Sequence, residues 1–197
     1  GKECQTCHMP EQVGESANGE NKRTVANHSF PGRIGKLRQE AAKLDIATEV
    51  KGDQTKVSVT VQSLVPHNLP TTHPGWARVV LDLTVLGKNL KAVFTDQRVY
   101  GRTYADAKSQ KTVFDFQATK VLDDTVLKPE ESRVEVFTFP TPKETRTFDV
   151  EAALNYAPVA GPAAFLQRIE AESTKGSQDP VFQPTVIVKK SINVAVK

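Results

Sequence analysis

The residues whose types and spacing most plainly suggest chemistry lie at the start of the chain. Cys4-Gln5-Thr6-Cys7-His8 has the pattern C-x-x-C-H, the attachment signature of a c-type haem. Two thiols spaced by two residues can each form a thioether to one vinyl side of a porphyrin, and the next residue then falls beneath the iron. His8 would present an imidazole nitrogen as the proximal axial ligand. Three other chemistries share part of the pattern. A thioredoxin-like redox pair also uses C-x-x-C, but in a βαβ setting that this segment lacks. Zinc could draw on Cys4, Cys7 and His8, yet adjacent Cys7 and His8 are awkward as simultaneous tetrahedral ligands, and a fourth ligand has to come from far away. A structural disulfide would close a very short ring and gain little loop entropy. Haem c is the cofactor the pattern predicts.

An iron held by His8 needs a partner on its far face or leaves that position open. Met9, the sole methionine, adjoins His8 and cannot swing round a porphyrin to the opposite side. The remaining histidines are His28, His67 and His73. His28 sits in Asn27-His28-Ser29-Phe30-Pro31-Gly32, after a polar Pro10 to Ala26 excursion long enough to loop round the porphyrin edge. Phe30 could pack on the ring and Pro31-Gly32 turn the chain away. His28 is therefore the expected distal ligand, with His67 as the alternative and His73 a weaker one. His67 and His73 belong to Pro66-His67-Asn68-Leu69-Pro70-Thr71-Thr72-His73-Pro74-Gly75-Trp76, where three prolines stiffen a loop that could hold an imidazole in place. Trp76 reads as core. Bis-histidine ligation lacks the potential-raising thioether sulfur, so a low-potential centre follows.

The elements that must position these residues change period along the chain. Ile34, Leu37, Ala41 and Leu44 form an apolar stripe at helical spacing, predicting a short amphipathic helix over Ile34 to Leu44. From Lys56 onward the period is two: Val57, Val59 and Val61 alternate with Ser58, Thr60 and Gln62, and Val79 to Val85 and Val134 to Phe139 alternate likewise. Further strands are expected at Ala47 to Lys51, Leu90 to Tyr100, Val113 to Lys120, Arg146 to Tyr156 and Pro184 to Val196. Turn signals separate them at Gly87-Lys88-Asn89, Asp123-Asp124, Lys128 to Glu131 and Pro140-Thr141-Pro142. No helical pattern lies between most successive strands, so the sheets should be antiparallel and the fold an immunoglobulin-like β-sandwich. One helix, Gly161 to Glu170, is expected to cover an open end.

Length and composition narrow the function classes. The 197 residues suit one large domain, or one domain with a small appendage. The net charge of +3 comes from basic residues scattered among acids, so the basic stripe of a nucleic-acid surface is not expected. The longest apolar run, Ala77 to Leu86, is cut by Arg78 and Asp82 and falls short of the ~18 residues of a membrane span. No leader of the usual charged, apolar, small-residue kind opens the chain, so the expectation is either a removed targeting peptide or the C-terminal piece of a longer protein. No nucleophile elbow, phosphate-cradling glycine loop or His-Glu-x-x-His helix is present. Asp123-Asp124 and Glu130-Glu131 read as solvated turn carboxylates, with calcium binding by the Asp pair as a minor alternative.

Cys4-Gln5-Thr6-Cys7-His8-Met9-Pro10, then His28-Ser29-Phe30-Pro31-Gly32, then His67-Asn68-Leu69-Pro70-Thr71 together resemble the C-terminal portion of multihaem c-type cytochromes of the cytochrome c554 group. In those proteins a C-x-x-C-H-M-P segment and an H-x-F-x-G segment precede a β-rich tail with a G-H-x-x-P-T turn. The resemblance implies electron transfer outside the cytoplasm, with His8 proximal and His28 distal. This chain departs by carrying one haem motif rather than several, and Pro66 where the relatives usually have Gly.

The resulting expectation is a haem segment with a short helix over 1–53 and a β-sandwich over 54–197, with one or two short helices in all. Its function would be electron transfer through one c-type haem in a periplasmic or extracellular respiratory chain. The partner would be a redox protein or neighbouring haem domains. Two alternatives stay open: a terminal binding or assembly module of a larger multihaem cytochrome, and a haem-based sensor with a vacant sixth site. An enzyme such as a peroxidase would also need that site open.

Overall fold

The computed structural model describes residues 3–15, 21–28, 36–71, 76–158 and 183–196. Seven of its strands build two antiparallel sheets. Strands β3 (Ala42–Lys51), β4 (Gln54–Ser63) and β9 (Ser132–Pro140) form one, in the order β3-β4-β9. Strands β5 (Arg78–Leu86), β6 (Ala92–Tyr100), β10 (Thr147–Ala157) and β11 (Thr185–Ala195) form the other, in the order β11-β10-β5-β6. Their inward side chains, including Val57, Val59, Val61, Leu81, Leu83, Phe137, Val150 and Leu154, make one buried core. The chain passes between the sheets after β4, β6 and β9, giving a three-on-four, immunoglobulin-like sandwich.

The alternation in sequence explains this layer arrangement. In β5 the odd-numbered Val79, Leu81, Leu83 and Val85 are all buried, and the even-numbered residues between them are only half-buried. Strand β4 does the same with Val57, Val59 and Val61. Each strand thus has one side that gains from leaving water. Phe94, Phe139 and Phe148 bring β6, β9 and β10 together, with the first two rings stacked at 4.8 Å and the second pair edge-on at 6.2 Å.

Several expectations are corrected. The helix expected over Ile34 to Leu44 is helical only at α2 (Lys36–Gln39), and residues 34 and 35 lie outside the described residues. From Ala42 the chain is strand, with Ala42, Leu44 and Ile46 buried on one face and Lys43 and Asp45 exposed. Ladder bonds to β4 and a period-two apolar face outweigh a stripe that also fits a helix. Residue 53, where the sequence reading divides the chain, falls in the turn of the β3–β4 hairpin. Gly52 there has φ +62°, at the position where tight hairpin turns favour glycine.

The strand expected at Val113 to Lys120 is instead a loop with a short 3-10 turn at Asp115–Gln117, in which the Asp115 carboxylate accepts from the Phe116 amide. Such local bonds compete with a sheet ladder. Asp123-Asp124 is not a turn. Both residues lie in β8 (Lys120–Asp124), paired with β7 (Arg102–Ala105), and Asp124 faces Arg102 in a 3.0 Å ion pair across the strands. Within the Pro10 to Ala26 excursion, β1 (Glu11–Gly14) pairs antiparallel with β2 (Arg23–Ala26), and residues 16–20 lie outside the described residues. Trp76, read as core, is half-buried with its ring 5.5 Å from Phe114. The helix expected at Gly161 to Glu170, the Ser29 to Gly32 segment and His73 lie outside the described residues. No helix among the described residues is long and apolar enough to cross a membrane.

Candidate functional site

The C-x-x-C-H motif forms a single helical turn, α1 (Cys4–His8), closed by the Met9 amide donating to Gln5 O at 2.8 Å. On a helix, positions i, i+3 and i+4 share a face. Cys4, Cys7 and His8 stand in that relation, so two thiols and an imidazole are presented together. No disulfide joins the two cysteines; Cys4 is exposed and Cys7 half-buried. The turn buries none of its own residues, and a helix this short has no stability of its own in water. A covalently attached apolar group would supply the packing that the protein does not.

The imidazole against His8 comes from the loop between β4 and β5. The rings of His8 and His67 have centroids 6.2 Å apart and planes inclined at 34°. With metal–imidazole bonds of about 2 Å and each centroid roughly 1.1 Å behind its nitrogen, two imidazoles on opposite sides of one metal stand about 6.2 Å apart. A centroid separation of this size leaves space for one metal ion between the two imidazoles. His67 Nδ1 lies 3.0 Å from Asn68 O. A carbonyl oxygen only accepts, so Nδ1–H donates; in the neutral ring Nε2 is then the nitrogen with a lone pair, the arrangement usual in metal-bound histidine.

His28 is placed differently. The β1–β2 pairing continues through Asn27, whose amide donates to Pro10 O at 2.9 Å, and so returns the chain at His28 to the neighbourhood of Met9. His28 is exposed, and its Nδ1 donates to Ala26 O at 2.8 Å. It is His67 that the structure sets against His8. Among the described residues no three His, Cys, Asp or Glu side chains gather as a metal-ion site.

The hold on His67 escaped the sequence reading. Its loop is joined to residues 125–131 by a two-bond bridge: the Leu69 amide donates to Leu127 O at 2.8 Å, and the Leu127 amide returns to Leu69 O at 3.0 Å. The Glu130 amide adds a bond to Val65 O. Leu69 and Leu127 are buried, and the Leu69-Pro70 peptide is cis. Arg133 and Glu131 in turn organise the 125–131 segment. Burial pushes the Glu131 carboxyl up, but the Lys128 amide, Arg133 and Lys128 outweigh it and hold it below its ordinary value. No local motif announces such a clamp, because its halves are about sixty residues apart.

The fold has a counterpart among solved structures. It is similar to that of a penta-heme cytochrome c552 from Thermochromatium tepidum, with a TM-score of 0.70 and 22% identity over 97% of this chain and 47% of that one. This chain therefore spans about half the length of that cytochrome. A structural genomics target, SoR45, aligns with a TM-score of only 0.34 and 12% identity over 79% of this chain and 86% of that one, too weak to bear on the fold. No family model matches the chain, and no curated protein matches it in sequence.

Proposed function

We propose that the chain is an electron-transfer module that carries one c-type haem, with Cys4 and Cys7 as thioether donors, His8 as proximal ligand and His67 as distal ligand. The observation that carries this reading is the 6.2 Å separation of the His8 and His67 rings above a turn that presents both thiols. Attachment forms a C–S bond from each thiol to a vinyl carbon, while the thiol proton goes to the neighbouring vinyl carbon. When bound, the haem supplies a one-electron iron(III)/iron(II) couple.

The chain's own residues would set how that couple behaves. His8 is fixed by its place on α1 next to the second thioether, and His67 by the Leu69–Leu127 bridge. With His8 and His67 both holding the iron, no position would be left for an exogenous molecule, which favours electron transfer over ligand sensing or peroxidase chemistry. Two imidazoles in place of a histidine and a methionine point to a low potential. Thioether attachment also suggests a periplasmic or extracellular setting. A redox protein or neighbouring haem domains are the partners this reading requires.

The span of about half a penta-haem cytochrome favours a more specific version, in which the chain is the terminal module of a larger multihaem protein and exchanges electrons with haems carried elsewhere. The test is to produce the chain in a host that attaches haem c, then record its mass and visible spectra. The expected result is a mass greater by one haem and a low-spin six-coordinate spectrum in both oxidation states, converted to high spin by His67→Ala. A mass equal to that of the bare polypeptide would overturn the haem assignment. An unchanged spectrum in the variant would overturn the assignment of His67.

A further inference from the structure

We propose that Arg133, together with Glu131, is the positioning element for the distal histidine. This rests on His67 being a ligand, as proposed above. Arg133 stands on β9 at the edge of the three-stranded sheet, opposite Val61 of β4. Its guanidinium bonds in three directions at once. Nε donates to Glu131 Oε1 at 2.9 Å and one terminal nitrogen to Glu131 Oε2 at 3.0 Å, a two-pronged pair. The terminal nitrogens also donate to the carbonyls of Thr125 at 2.9 Å and Val126 at 3.1 Å. The group lies 5.4 Å from the centre of the Tyr100 ring.

These bonds fix one side of the segment whose other side carries the His67 loop. Leu127, next to Val126, makes both bonds to Leu69, two residues beyond His67. Glu131, besides pairing with Arg133, accepts the Lys128 amide at 2.6 Å, and its own carbonyl accepts the Ser63 amide at 2.8 Å at the end of β4. The chain is therefore anchored on both sides of His67 to a segment whose conformation one planar fork defines. Lysine has no such fork and can satisfy only part of this pattern. Charge-assisted bonds of this geometry are stronger than neutral ones, and a ligand displaced by about an ångström no longer reaches its metal.

The experiment uses the haem-loaded chain with Arg133→Ala, Arg133→Lys and Glu131→Gln, with His67→Ala as a reference. Val150→Ala serves as a control for general destabilisation, since Val150 is buried on β10 in the other sheet. High-spin content and the rate of carbon monoxide binding to the reduced protein are compared with each variant's Tm. The expected result is a rise of about tenfold or more in the carbon monoxide rate in Arg133→Ala and Arg133→Lys, with a smaller rise in Glu131→Gln and none in Val150→Ala. If Arg133→Ala does not fold, Arg133→Lys and Glu131→Gln carry the test. Arg133 variants that match the wild type, or a control that rises equally, would overturn the positioning role while leaving His67 as ligand. A His67→Ala protein that stays six-coordinate would overturn the ligand assignment itself.

Discussion

At the scale of single residues, placement rather than hydrogen bonding distinguishes the two candidate imidazoles. His67 and His28 both spend Nδ1–H on a backbone carbonyl, Asn68 O and Ala26 O respectively, which in the neutral ring leaves the lone pair on Nε2 in each. Chemistry alone does not separate them. Placement does, since the ring of His67 lies 6.2 Å from that of His8. His28→Ala in the haem-loaded chain should therefore keep the six-coordinate spectrum and exclude carbon monoxide from the reduced iron. A carbon monoxide complex forming in that variant would return the distal position to His28. The C-x-x-C-H motif was fully legible in sequence because its chemistry needs only neighbours along one turn. The expectation of His28 as distal ligand rests on reach along the chain, and reach does not register hydrogen bonds that bring the ring of His67 to 6.2 Å from that of His8.

At the scale of elements, the loop before β5 is held by the turn before β9, and that turn depends on a carboxylate. Glu131 is raised by burial and lowered more by the Lys128 amide and by Arg133. Its folded value lies below its unfolded one, so its contribution is complete above the unfolded value, about 4.3, and is lost as pH falls through the folded one. Asp124 follows the same rule: burial raises it, but Arg102 and Lys128 prevail. Urea midpoints of the wild type should fall more steeply than those of Glu131→Gln between about pH 5 and about pH 3. Equal slopes would show that Glu131 protonation is not linked to folding. The short elements were the least legible. The stripe at Ile34, Leu37, Ala41 and Leu44 fits a helix, but Ala42, Leu44 and Ile46 also fit a strand, and the partner β4 decided between them.

At the scale of the whole molecule, the sandwich is one core closed along its sides by basic residues. Arg98 on β6 pairs with Asp96 at 2.9 Å, donates to Val136 O on β9 and stacks 4.3 Å from the centre of the Phe137 ring. On the opposite side, Lys190 of β11 pairs with Asp45 of β3, and Arg38 of α2 donates to Thr185. These partly exposed pairs contribute little stability individually. Most of the stability comes instead from removing apolar side chains such as Leu81, which is fully enclosed, from water. Leu81→Ala should cost about 2–5 kcal/mol in urea unfolding. A loss under about 1 kcal/mol would mean that this part of the core is loosely packed.

The amino-acid order alone established the thiol and imidazole cluster, the antiparallel strands and the sandwich class, because each depends on spacings of two to four residues that local geometry enforces. The approach of the His67 ring to His8, the strand identity of Leu44 and the Arg133–Glu131 hold on the loop emerged only in three dimensions. Each depends on hydrogen bonds between segments far apart in the chain, whose pairing is selected by burial of the common core and leaves no local signature.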